Sequence, residues 1–362
     1  MRRREFLRTV GAGFAASAIA APSVARAMPD LKWRLTTSWP KSLDTVYGAC
    51  EEFAKRVAEI TDNRFQIQVF AAGEIVPGLQ VLDAVQNGTV EMGGTNAYYY
   101  WGKDPSFALA TGIPFGLNAR QQDSWQQRGG GMEMLDGLFA DFGCYGLPMG
   151  NSGAQMGGWF RKEINTVADL SGLKFRIAGF AGSVIKRLGV VPQQVAPGDI
   201  FPALENGTID AVEWVGPYDD EKLGFYKVAK YYYYPGWWEG GTTAHLLINR
   251  AKWDSLGKTY QAIMTAASRE AGLRLTAKYD LMNPPAMKRL IANGAQLRAF
   301  SPEIMDASFK VANDTYAELG NANARFKKIL DSLMDFRRDS YSWWQVAELS
   351  FDVFQVKTLG RV

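Results

Sequence analysis

The chain has 362 residues, with 40 basic and 37 acidic side chains, one histidine and two cysteines, and is 47% hydrophobic and 13% aromatic. So few cysteines and histidines exclude a structural zinc site of the usual kind. The formal charge of +3 gives no ground for nucleic-acid binding, because it comes from the first residues.

Those residues read as a targeting segment. Arg3-Arg4-Glu5-Phe6-Leu7-Arg8 is a twin-arginine signal, followed by the apolar run Val10 to Ala21 and the small-residue site Ala25-Arg26-Ala27. Cleavage would leave Met28 first, and it removes five arginines and one glutamate. The mature chain then has 35 basic against 36 acidic side chains, a net of −1. The apolar run is short for a bilayer span, so a soluble periplasmic protein is expected. Cys50 and Cys144 permit a disulfide in that compartment, although Cys50 falls in a helical pattern and reads as a packed residue.

Lys32 to Thr37 reads as the first strand, ended by Ser38-Trp39-Pro40. Thr45 to Thr61 has apolar residues at helical spacing. A strand follows at Phe65 to Phe70, then a helix over 79–87 with Asn87-Gly88 as its stop. A strand from Val90 to Thr95 leads into the polar-aromatic loop Asn96 to Trp101. After Gly150-Asn151-Ser152-Gly153, strands are expected at Gly157–Phe160, Lys174–Ala178, Val190–Val195 and 209–214, with helices over 181–188 and 199–206. The aromatic run Tyr231 to Trp238 precedes a strand from His245 to Asn249 that crosses back to the first lobe. From Trp253 the chain is mainly helical, with breaks at Asn283-Pro284-Pro285 and Ser301-Pro302. The last segment, Ala322 to Val356, is long and amphipathic.

Two pairs of segments repeat. LQVLDAVQNGTVEM at 79–92 matches GDIFPALENGTIDA at 198–211, and LKWRL at 31–35 matches LKFRI at 173–177. The chain is therefore expected to hold two similar α/β lobes with facing open parallel sheets and a ligand cleft between strand ends. The boundaries read as 1–27 for the signal, 28–152 with 240–280 for the first lobe, 153–239 with 281–335 for the second, and 336–362 for a C-terminal helical extension.

Enzymatic motifs are poor: no Gly-x-Ser-x-Gly elbow, phosphate loop or HExxH occurs. His245, in an apolar strand, reads as a core residue. Arg176 lies before a Gly-rich turn, where a guanidinium can grip a carboxylate with two parallel hydrogen bonds. Arg34 occupies the matching place in the first repeat, so spacing alone leaves open a solvated strand residue. Glu213 and Trp214 follow the second repeat strand, and Glu239 follows Gly236-Trp237-Trp238. With an amide such as Gln155 they would suit a hard cation with oxygen ligands. Separate surface ion pairs remain the other reading.

At these residues the chain resembles the extracytoplasmic solute-binding proteins of tripartite ATP-independent periplasmic (TRAP) transporters. Asp169-Leu170-Ser171-Gly172-Leu173-Lys174-Phe175-Arg176 is like that family's D-L-x-G-x-K-x-R stretch. Ala203-Leu204-Glu205-Asn206-Gly207-Thr208-Ile209-Asp210 is like its A-L-x-x-G-x-x-D stretch. The resemblance implies a two-lobed α/β periplasmic-binding fold with a long connecting helix, and Arg176 as the carboxylate-binding residue. Gln155 and Glu213 depart from the commoner pattern, which carries a second Arg and an Asn there. That departure is similar to the 2-oxo acid and lactate subgroup, and implies a cation, sodium in preference to calcium, held by Gln155, Glu213, the Trp214 carbonyl and Glu239.

The implied ligand is a small 2-oxo monocarboxylate such as pyruvate, with lactate as the alternative and an exported metal-dependent enzyme as the alternative of another class. Asn96, Tyr98, Tyr100 and Asn151 are the expected hydrogen-bonding walls. Membrane permease subunits are the expected partners, with a homodimer through the C-terminal helix.

Overall fold

The computed structural model describes residues 29–360. The export signal, its cleavage point and the last two residues lie outside that range. The first sheet begins with β1 (Leu31–Thr37), α1 (Val46–Ile60), β2 (Phe65–Phe70), α2 (Val81–Gln86) and β3 (Met92–Thr95). In α1, Val46, Ala49, Cys50, Phe53 and Val57 recur at helical spacing and are all buried. A 3-10 turn over Ala97–Tyr100 follows β3.

Residues 101–150, for which no elements are expected from the sequence, hold α3 (Phe107–Thr111), α4 (Ala119–Arg128), α5 (Gly131–Asp141) and β4 (Cys144–Asn151). A capping box starts α4. Asn118 Oδ1 accepts from Gln121 N at 2.9 Å, and Gln121 Oε1 accepts from Asn118 N at 3.0 Å.

The chain then enters the second sheet through β5 (Gly158–Phe160), β6 (Lys174–Arg176), α6 (Ala181–Ile185), β7 (Val191–Gln193), α7 (Ile200–Glu205), β8 (Ala211–Val212), α8 (Pro217–Leu223) and β9 (Tyr231–Tyr234). It returns to the first sheet as β10 (Thr243–Asn249), continues through α9 (Arg250–Ser255) into α10 (Lys258–Ala292), and re-enters the second sheet as β11 (Gln296–Ala299). Three helices close the chain: α11 (Pro302–Ala322), α12 (Ala324–Trp344) and α13 (Glu348–Leu359).

The strand orders are β2-β1-β3-β10-β4 and β11-β9-β5-β8-β6-β7. Both sheets are mixed, which corrects the expectation of parallel ones. β10 runs antiparallel to β3 and β4, and β5 antiparallel to β8 and β9. These two strands arrive from the other sheet instead of through a right-handed βαβ crossover, so nothing forces them parallel. β10 is an interior strand between β3 and β4, and its first six residues are all buried, as a strand covered on both faces requires.

The helix α10 joins the lobes. Its 35 residues make a rod about 52 Å long at about 1.5 Å per residue, packed first on α1 and β4 and then on α8. The expected break at Asn283-Pro284-Pro285 is absent. Both prolines are exposed, so the carbonyls of Asp280 and Leu281 that lose their N–H partners face water. Tyr279 and Ala286 on the other face stay fully buried. Where α10 passes the first crossing, a Cβ on Gly150 would stand 2.4 Å from Gly272 O. Only glycine allows that approach.

The terminal segment is two helices, not one long one. The α12 helix ends at Trp344, and α13 has no buried residue. Both cysteines are free and buried. Burial pushes the Cys144 thiol up to about 12.

Candidate functional site

The first two passages between the sheets run side by side. Ser152 N donates to Thr242 O at 3.1 Å, Gln155 N to Glu239 O at 3.3 Å, and Gly236 N to Gln155 O at 2.9 Å. This ribbon carries Ser152, Gln155, Glu239 and Thr242 into the gap between the lobes, and all four are buried. Thr242 Oγ1 donates to Glu239 Oε2. The Gln155 amide nitrogen donates to Thr242 Oγ1 at 2.8 Å and Ser152 Oγ at 3.1 Å. Two hydroxyls thus hold the amide nitrogen, and the Gln155 carbonyl oxygen is left buried with no partner.

The second sheet contributes its strand ends. Arg176 is the last residue of β6 and pairs with Val212 of β8, so Glu213 comes one step beyond the ladder. Arg176 Nη1 donates to the Glu213 carbonyl and, at 3.1 Å, to Glu213 Oε2. Its Nε donates to Val195 O at 3.3 Å. Ala178 N donates to Glu213 Oε2 at 3.3 Å. The Trp214 ring lies 5.0 Å from the guanidinium, close enough for a cation–π contact. Arg176 Nη2 and Glu213 Oε1 have no partner, although these side chains are only 1% and 0% exposed. Unpaired buried polar atoms are costly, and a ligand that pairs with them would remove that cost.

Electrostatics point the same way. Burial pushes the Glu213 carboxyl up to about 7, against the opposing pull of Arg176. Burial, and then the Glu213 charge, raise Glu239 well above the usual carboxylate range. One guanidinium faces two buried acids, so the ionised site carries one negative charge. A carboxylate ligand alone would add another, which such a site rejects. Among the described residues no cluster of three or more His, Cys, Asp or Glu could hold a metal. The expected donor set mixes two acids with an amide and a main-chain carbonyl, and the unpaired Gln155 and Glu213 oxygens fit a hard cation.

The first sheet supplies the facing wall. Asn96 follows β3, and Tyr98 and Tyr99 lie in the 3-10 turn. With Trp214, Gln155, Thr242, Trp39, Val46, Ala244, Leu275 and Tyr279 they line a small cavity. Asn96 lies near the Tyr99 hydroxyl, yet neither Asn96 Oδ1 nor that hydroxyl completes a hydrogen bond.

Two expected wall residues are turned elsewhere. The Tyr100 hydroxyl meets Thr95 Oγ1 at 3.0 Å and accepts from Leu82 N at 3.1 Å, inside the first lobe. Three residues per turn in a 3-10 segment splay successive side chains by about 120°, so Tyr98 and Tyr99 face the cleft while Tyr100 points back. Asn151 is occupied at the crossing, donating to Thr243 Oγ1 at 3.1 Å and accepting from Gly153 N at 3.0 Å. Tyr99, Ser152 and Thr242 are lining residues that sequence reasoning missed. The Asn96–Trp101 run flagged Tyr99 only as part of a loop, and no motif marked Ser152 or Thr242.

His245 is buried and its pKa is lowered by burial to about 4, as a neutral core histidine requires.

Two lobes, a long joining helix and a buried polar cleft define a solute-binding protein of the two-lobed kind. Residues 36–323 match the DctP family, bacterial extracellular solute-binding protein family 7, and the chain belongs to that family of TRAP solute-binding proteins. It is 50% identical to the monocarboxylate 2-oxoacid-binding periplasmic protein of Nostoc, over 98% of this chain and 99% of that one. A TRAP transporter solute-binding protein from Bordetella bronchiseptica is 48% identical and superposes with a TM-score of 0.91, covering 92% of this chain and 99% of that one. That protein was crystallised as a mixed-occupancy dimer, with a calcium- and picolinate-bound active site versus an apo site. A TRAP periplasmic solute-binding protein from Pseudoalteromonas atlantica, with bound sodium and pyruvate, is 36% identical with a TM-score of 0.87, covering 89% and 98%.

Proposed function

We propose that the protein captures a small 2-oxo monocarboxylate of pyruvate size, together with a metal cation, between its lobes in the periplasm, and delivers it to TRAP permease subunits. The observation that carries this reading is that Arg176 Nη2, Glu213 Oε1 and Gln155 Oε1 are all buried without a partner, with Gln155 bonded to the main chain of Glu239, whose carboxyl the Glu213 charge raises. Arg176 would bind one carboxylate oxygen. Gln155, Glu213, Glu239 and the Trp214 carbonyl would hold the cation, which neutralises the buried acids and draws the ligand's remaining oxygens. Asn96, Tyr98 and Tyr99 would close the facing wall, and the aromatic lining leaves room for a short side chain only.

The charge count favours calcium over the sodium expected from the sequence. With both acids ionised and one carboxylate bound, a divalent ion brings the site to zero, whereas sodium leaves one negative charge. Sodium balances the site when one acid keeps its proton, which the raised Glu213 and Glu239 carboxyls allow.

Export by the twin-arginine route places the chain on the side of the membrane where such a receptor works. The exposed Trp343, Phe351, Phe354 and Leu359 suit a dimer contact through the terminal helices, and sedimentation of the full chain beside one ending at Asp335 tests it. Titration calorimetry with pyruvate, 2-oxobutyrate and lactate, with calcium, with sodium and after chelation, tests the rest. Binding of pyruvate that is lost with the cation supports the reading. Binding that survives removal of both ions overturns the metal, tighter binding of lactate overturns the 2-oxo preference, and turnover of any of these acids makes the protein an enzyme.

A further inference from the structure

We propose that Asp219 is a positioning residue that latches the two lobes shut over the ligand cavity. It lies on α8 of the second lobe, fully buried, and no sequence motif marks it. Its carboxylate accepts from Thr45 Oγ1 at 2.8 and 3.0 Å and from the Tyr279 hydroxyl at 2.8 Å. Thr45 stands at the start of α1 in the first lobe, and Tyr279 is on the joining helix. One carboxylate therefore ties three bodies together.

The tie sits directly behind the cavity wall. Thr45 is followed by Val46, and Val46 and Tyr279 both line the cavity. Leu275, also in the lining, is one helical turn from Tyr279, on the same face of α10. An outer layer reinforces the contact. Asp44, next to Thr45, accepts from the Tyr218 hydroxyl at 3.1 Å, pairs with Lys278 at 3.0 Å and contacts Lys222. The ligand cleft and this latch share Val46 and Tyr279, but no latch carboxylate touches the cleft.

A buried carboxylate satisfied by two hydroxyls stays buried only while both donors are in place. Opening the cleft moves Thr45 away from Asp219, so the hydrogen bonds to Asp219 belong to the closed state. The apparent dissociation constant of a ligand that binds the closed state is its intrinsic value divided by the closed fraction. Loss of the latch therefore weakens binding without any contact to the ligand.

This inference rests on the reading that the lobes close over a carboxylate, and the experiment separates the two. Thr45→Val, Asp219→Ala and Asp219→Asn are compared with the parent by calorimetric titration with pyruvate and calcium, and by small-angle scattering of the unliganded proteins. Thr45→Val removes a single donor and keeps the shape, so it carries the test if Asp219→Ala fails to fold. Thr45→Val and Asp219→Ala are expected to weaken binding about tenfold, the effect of roughly one well-made hydrogen bond, and to enlarge the unliganded radius of gyration. Asp219→Asn, whose amide can serve both hydroxyls, is expected to restore the parent's affinity. The double variant Thr45→Val/Asp219→Ala is expected to bind no more weakly than the worse single one. Parent-like affinity and radius in Thr45→Val overturn the latch. If the parent itself fails to bind pyruvate, the ligand reading falls, and the radius alone decides the latch: larger in Thr45→Val upholds it, unchanged overturns it.

Discussion

At one and the same register the two lobes carry opposite chemistry. Leu35 pairs with Met92 in the first sheet, and Phe175 pairs with Ala211 in the second. These pairs are the repeat counterparts, because Met92 and Ala211 fall at equal distance from the shared Asn-Gly-Thr. One step before them the lobes agree. The Glu91 carboxylate accepts from the main-chain nitrogen of Arg34 at 2.8 Å, and the Asp210 carboxylate from that of Lys174 at 3.0 Å. One step after them they part. Thr36 and Gly93 stand in the first lobe where Arg176 and Val212 stand in the second, and Gly94 then answers to Glu213.

A Cβ on Gly94 would lie 2.5 Å from Cys50 Sγ and 3.3 Å from the Trp39 ring, so the first lobe gives that position to close packing of α1 on the sheet. The second lobe gives it to a charge. The repeat is a shared scaffold, clipped at one end of its strands by the same acid-to-main-chain contact. The cleft end is free to differ, and the buried Arg176–Glu213 pair sits in the second lobe only.

The largest way to break this asymmetry is Arg176→Ala. It removes the one cation beside two buried acids, and breaking a buried pair costs roughly 3–5 kcal/mol. The affinity for pyruvate with calcium is expected to fall by at least about a hundredfold, read by titration calorimetry. An unchanged affinity would place the carboxylate elsewhere. Glu213→Gln comes next. It keeps the shape and one acceptor oxygen but removes the charge that attracts the cation, so calcium dependence should weaken about tenfold or more, as ligand charge tunes such sites.

A pH series tests the same contrast on the whole protein. The folded carboxyls of Glu213, Asp220 and Asp219 sit at about 7, 7 and 6, against ordinary values of 4.5, 3.8 and 3.8, and burial is the first cause of each. A raised folded value means that the native state holds more protons than the unfolded one. Stability therefore falls as pH rises from about 4 through 7. Scanning calorimetry should give the unliganded protein a higher midpoint at pH 5.5 than at pH 8. With calcium and pyruvate the order should reverse or flatten, because the bound cation favours ionised Glu213 and Glu239 and expels their protons. A liganded protein that tracks the unliganded one across this range would remove both acids from the cation site.

How much of this was legible in the sequence varies by region. The Asn-Gly-Thr repeat found α2, α7 and the strands that follow them, because an apolar helix, a Gly stop and a β-rich run are local signals. The LKWRL and LKFRI match was misleading by two residues. It paired Arg34 with Arg176, whereas the sheet register pairs Arg34 with Lys174. Arg34 is 47% exposed and bound to Glu91, so the apparent counterpart that cast doubt on Arg176 never occupied its place. The helices between 101 and 150 were missed although Asn118 and Gln121 spell a capping box. Their apolar faces are short, and of the three it is α5 that packs on β4, whose own pattern of glycines and Pro148 hides a strand; α3 packs on the 3-10 turn and β10, and α4 on α5 and α12. Thr242 and Ser152 also bond across the crossing to residues about ninety positions away, and Asp219 bonds Thr45 and Tyr279, 174 and 60 positions away, and no local pattern records those distant contacts.

Tyrosines in the turn after β3 give the smallest and sharpest comparison. Tyr99→Phe removes a hydroxyl that faces the cleft without a partner, so stability should hold or rise slightly while the affinity for pyruvate changes. Tyr100→Phe removes contacts to Thr95 and to the main chain of Leu82, leaving a buried N–H unsatisfied, so it should cost about 1–3 kcal/mol of stability and leave affinity alone. Thermal unfolding and titration of both variants separate the roles. If Tyr100→Phe weakens binding in a fully folded protein, the 3-10 turn does not sort its side chains between cleft and core, and the wall of the first lobe extends one residue further than the geometry places it.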